Sequence, residues 1–172
     1  MPVVGWHKRL CTQGDRGTTK AAMTVSAFAD LPPVANSFIR LAVAFALGTL
    51  IGLERQYRQR TAGLRTNVLV AIGAAAFTDM GMRLLGAEGA TRIIGYIVSG
   101  IGFLGAGVIM KEGTHVRGLN TAATLWSSAA VGAFAGSGLP IEAAMLTAFV
   151  LAGNTMLRPL VNTSTASRWM SW

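Results

Sequence analysis

Apolar and polar positions alternate along this chain in long blocks. An apolar block runs from Val34 to Leu53 and ends abruptly at the polar run Glu54-Arg55-Gln56-Tyr57-Arg58-Gln59-Arg60. At ~1.5 Å per residue a block of this length crosses the ~30 Å core of a bilayer. A second block, 66–85, is interrupted in its last third by Asp79 and Arg83, which stand four apart on a helix and can pair. A third, 93–110, has no charge before its end. The fourth covers 119–135, and the fifth 140–157 follows the turn Gly136-Ser137-Gly138. Pro140 suits a first helical position. Arg40 lies inside the first block, close enough to its end to snorkel outward. The pattern predicts an all-α membrane protein of about five transmembrane helices packed as a compact bundle.

Composition supports this. Of 172 residues, 52% are hydrophobic and 13% charged, against about 25% charged in soluble domains. Mean hydropathy is +0.49. The net charge of +8 could signal nucleic acid, but the basic residues fall in short runs between apolar blocks, so no nucleic-acid partner is expected. They read as topology determinants instead. One set of connections and the C-terminal segment carry Arg55, Arg58, Arg60, Arg65, Lys111, Arg117, Arg158 and Arg168. The opposite side carries Arg83 and Arg92. The positive-inside rule puts the first set, and the C-terminus, in the cytoplasm. Residues 1–33 are polar and mixed, and no signal-peptide core follows their charges. They are expected to be a disordered tail or a mis-assigned start, with Met23 the alternative initiator. Their basic residues oppose the orientation, and a start at Met23 removes most of that conflict.

Candidate chemistry is sparse. Cys11 is alone, so no internal disulfide can form, and His7 and His115 have no cluster around them, so neither metal nor cofactor is expected. Gly100 to Gly105 match G-x-G-x-x-G, but inside an apolar block and without the following acid a dinucleotide site is rejected. No Ser-His-Asp set, H-E-x-x-H or P-loop is present, so no enzyme is expected. In the third block, Gly95, Ser99, Gly102 and Ala106 share one helical face, where small side chains let helix backbones touch. Gly100, Gly105 and Gly107 add to this packing set. In the fourth, Asn120, Thr124 and Ser127 share a face, flanked by Thr121 and Ser128, and can bond neighbouring helices or line a path. Trp126 is expected to pack between helices. A magnesium channel would want inward-facing carboxylates, and the acids near the blocks are Glu54, Asp79, Glu112 and Glu142, all toward block ends.

Several runs together bear a resemblance. Leu50-Ile51-Gly52-Leu53-Glu54-Arg55-Gln56, Ala62-Gly63-Leu64-Arg65-Thr66-Asn67, the glycine-rich run from Ile97 to Ile109, and Val116-Arg117-Gly118-Leu119-Asn120-Thr121-Ala122-Ala123-Thr124-Leu125-Trp126 resemble the MgtC/SapB family. The resemblance covers residues 38–160. It implies a bacterial inner-membrane virulence factor for growth at low Mg²⁺ and survival inside macrophages. It implies a modulator of other membrane proteins, with the rotary ATP synthase or a P-type ATPase as partner, and self-association in the bilayer as a further expectation. A transporter or channel for Mg²⁺ or another cation is the alternative. Two features depart from the family: the Asp79 and Arg83 charges, and an end at Trp172 where the family usually continues into a soluble domain. The expected division is 1–33 tail, 34–158 transmembrane domain and 159–172 short tail. The expected working cluster is Glu54, Arg55, Arg65, Thr66, Asn67, Ser99, Arg117, Asn120, Thr121 and Thr124, with Glu54, Arg65, Arg117 and Asn120 converging at the cytoplasmic end.

Overall fold

The computed structural model describes residues 33–60, 62–112 and 115–166. The expectations for the N-terminal tail, for Met23 and for the last six residues lie outside them. The helix packing and the polar clusters belong to the unit that begins at Ser37.

Four helices and one small hairpin make up the described chain. They are α1 (Pro33–Tyr57), α2 (Leu64–Val108), β1 (Met110–Glu112), β2 (His115–Arg117), α3 (Leu119–Gly136) and α4 (Pro140–Ala166). Five separate helices were expected, and the difference lies in α2. It holds both the second and third apolar blocks, broken at Gly86, where φ is 65° and ψ −151°. Only glycine occupies that region without strain. Residues 87–92, expected as a loop, are helical, and Glu88 pairs with Arg92 one turn later. The two arms of α2 touch at Gly81 and Gly89: a Cβ on Gly81 would stand 3.0 Å from the Gly89 carbonyl oxygen. The connection 110–117, expected as a plain loop, forms an antiparallel hairpin with Lys111 opposite Val116. α4 continues to Ala166, past the expected tail boundary.

α1 and α2 are long and apolar enough to cross a membrane. α3 is shorter and carries Asn120, Thr121, Thr124, Ser127 and Ser128.

Close packing rests on small residues, mostly at positions other than those expected. Gly48 of α1 lies over Ala71 and Gly52 over Leu64. Gly132 and Gly136 of α3 lie against the backbone of Ala71 and Ala75. Ser128, Gly132 and Gly136 thus follow Asn67, Ala71 and Ala75 in step, so α3 runs parallel to the first arm of α2. Ala44, Ile51, Val131, Ala135 and Ala143 fill the space between α1, α3 and α4. In contrast, Gly95, Gly100, Gly102 and Gly107 have open space where a side chain would stand, and Ala106 is exposed. Of the expected packing set, Gly105 meets a neighbour, Ala122. The expectation for this face is therefore corrected within one chain: the second arm turns it away from its own helices. Trp126, expected to pack between helices, is 52% exposed and borders a cavity between the second arm of α2 and α3.

Candidate functional site

Two polar clusters cross the helix interfaces, one at each end of α1. The first grows from the end of α1. The helix runs one turn beyond the apolar block, so Arg55 follows Ala44, Gly48 and Ile51 on the face that meets the core. Its side chain is 2% exposed, and one guanidinium nitrogen donates to the Thr121 hydroxyl of α3 at 2.6 Å. Its Nε has no partner among the described residues. A buried cation costs several kcal/mol unless bonded. Arg55 is therefore a strained point that holds α1 to α3.

Asn67, near the start of α2, is 0% exposed. Its amide nitrogen donates to the carbonyls of Ala62 at 3.1 Å and Gly63 at 2.8 Å, closing the basic connection onto the helix. Its amide oxygen accepts from the Ser128 hydroxyl at 2.9 Å. Around the same turn, Glu54 forms an ion pair with Arg58 and accepts from Asn154 of α4 at 3.4 Å. Arg58 also donates to Thr155 at 3.1 Å. All four helices meet through these side chains.

The expected cluster is placed as follows. Arg55, Asn67, Thr121 and Thr124 are buried, and Glu54 is half-buried. Arg65 and Thr66 are exposed and line a groove along α2. Ser99 is exposed on the second arm. Arg117 is exposed in β2, opposite Met110, and Asn120 is exposed in the first turn of α3. Glu54 reaches Arg58 and Asn154, while Arg65 lines the groove along α2. The polar face of α3 is also turned by one residue. Thr121, Thr124 and Ser128 point inward, while the hydroxyl of Ser127 bonds its own helix at Ala123. The phase follows from Gly118, whose φ of 94° and close approach to Val108 fix where α3 starts.

The second cluster was not expected. Asp79 pairs with Arg40 of α1 at 2.9 Å, not with Arg83. The same Arg40 nitrogen donates to the Gly136 carbonyl at 2.8 Å, at the C-terminus of α3, where the helix dipole favours a cation. The Ser37 hydroxyl donates to Asp79, and Arg83 reaches Ser37 at 2.9 Å. One sequence signal could have found this pair. Each charge sits in an apolar block, where an ionisable group needs a partner.

The profile of the MgtC family matches residues 41–163. The chain belongs to the MgtC family. Protein MgtC of Brucella abortus is 60% identical over 129 residues, covering 75% of this chain and 54% of that protein. Protein MgtC of Salmonella typhimurium is 56% identical over 120 residues, covering 70% and 52%. An uncharacterized protein of Synechocystis is 59% identical over 125 residues, covering 73% and 53%. The chain thus spans about half the length of the curated MgtC relatives it matches. No solved structure matches it. The first polar cluster, from Glu54 to Thr155, lies wholly inside the MgtC match, whereas Ser37 and Arg40 of the second lie just before it.

Proposed function

We propose that this chain is the membrane part of an MgtC-type modulator. It supports growth at low Mg²⁺ and survival inside macrophages by acting on other inner-membrane proteins, a rotary ATP synthase or a P-type ATPase. It is not an enzyme. The observation that carries this reading is the state of the interior carboxylates. Asp79 is taken by Arg40, and Glu54 by Arg58. A cation path uses carboxylates or carbonyls free to replace the ion's water. Carboxylates neutralised by arginine leave a bound Mg²⁺ little charge to meet.

Reconstitution separates the modulator from the cation transporter. Purified protein in liposomes is expected to leave Mg²⁺ and proton flux at the level of empty vesicles, and to co-purify with a membrane ATPase from its own membranes. Protein-dependent Mg²⁺ flux would establish the transporter.

The orientation proposed from the charge split has the basic connection, the hairpin and the C-terminus in the cytoplasm. Cysteines placed at Gln59 and His115 should then resist an impermeant thiol reagent in intact cells, while one at Ser137 should react. Labelling at Gln59 reverses the orientation.

A further inference from the structure

A groove of about 860 Å³ runs between the two arms of α2. The first arm lines it with residues from Arg65 to Phe77 and the second with residues from Ile93 to Leu104, with Ala129 of α3 also in the lining. At one end the arms close on each other at Gly81 and Gly89. At the other stand Arg65 and Thr66. From Arg65 to Phe77 the wall is about 18 Å long at 1.5 Å per residue, close to the ~15 Å depth of one leaflet.

Charge is distributed along this groove as in an amphiphile. Among the described residues Arg65 is its one charged liner, exposed and at its mouth, and the rest is apolar apart from Thr66 and Tyr96. Basic pockets between membrane helices select anionic headgroups. The rim is bulky: Leu69, Phe77 and Tyr96 stand out from the walls. Such a rim keeps a helix backbone from close approach, which membrane helix pairs need, but grips a flexible chain. Gly73 and Gly100, with open space above them, leave room for that chain.

We infer that the groove binds one phospholipid with an anionic headgroup, its phosphate on Arg65 and an acyl chain between the arms of α2. The site tethers the protein to anionic lipid and covers a face that its own helices leave open.

The test uses the full chain purified in detergent and titrated with phosphatidylglycerol or phosphatidylcholine of identical acyl chains, with bound lipid counted by native mass spectrometry. Phosphatidylglycerol should bind about fivefold more tightly, the worth of one arginine near a membrane surface. Arg65→Gln should bring the ratio to about one, and Arg92→Gln, at the far end of the second arm, should leave it unchanged. Gly100→Leu, which puts a side chain into the groove without a clash, should weaken both lipids. Equal binding of the two lipids by the unmodified protein overturns the inference, as does a preference that survives Arg65→Gln. A dimer that Gly100→Leu dissociates, with lipid binding unaltered, gives the groove to a second copy and overturns it too.

Discussion

Gly132→Leu is expected to abolish accumulation of folded protein, whereas Gly102→Leu should be tolerated. A Cβ on Gly132 would stand 2.9 Å from the Ala71 carbonyl carbon and nearer still to its oxygen. The obstacle is helix backbone, which has no rotamer to change. Relief requires α3 to move off α2, and Ser128–Asn67 and the Gly136 contact lie on the same seam. Overpacking of a core costs about 1–3 kcal/mol, occasionally more, and a backbone clash belongs at the upper end. Gly102 has nothing within 4 Å of the place a side chain would take. Thermal unfolding in detergent with membrane yield checks both. Equal yields of the two variants would mean that α3 does not lie on α2 in this register.

That contrast shows where the sequence stops being informative. Both glycines sit in runs of small residues, and spacing alone favours the third block, with its denser repeat. What separates them is which face another helix covers. The answer depends on Gly86, one residue whose backbone conformation turns the second arm back along the first. Around it, Glu88 and Arg92 read as a loop between spans, yet they pair across one helical turn. The end of α3 was legible for the opposite reason. Gly138 has φ 80°, and the Leu139 and Gly138 amides return to Phe134 and Ala135, the cap that a Gly-Ser-Gly turn announces.

The working residues divide in the same way. Arg55, Asn67 and Thr121 stand in motifs that local pattern marks, and they lie within one polar cluster. Local pattern cannot assign their roles, because Arg55 meets Thr121 across 66 residues and Asn67 meets Ser128 across 61. Without those partners, spacing sets the phase of α3 off by one position. Sequence order groups Arg65 with Glu54, because both flank the basic connection. In the structure Glu54 accepts from Asn154 of α4, while Arg65 lines the groove along α2.

The Arg40–Asp79 pair gives the second large effect. Arg40→Gln should destabilise by about 3 kcal/mol, the low end for breaking a buried ion pair, because the two side chains retain 19% and 10% exposure. The loss has three parts. Asp79 is left with Ser37 as its remaining close partner, the Gly136 carbonyl loses its donor, and α1 loses its link to the end of α3. Arg83, four residues after Asp79, can recover some of this by turning from Ser37 to the carboxylate. Asp79→Asn should cost less, since an amide can still accept from Arg40 and the cation keeps the Gly136 carbonyl. The double variant should lose at least about 1 kcal/mol less than the sum of the single losses, because removing both charges leaves neither stranded. Thermal unfolding in detergent, run on the four proteins of the cycle, measures this coupling. Additive losses would mean that Arg40 and Asp79 are neighbours without energetic linkage, and the cluster would then add nothing beyond ordinary helix packing.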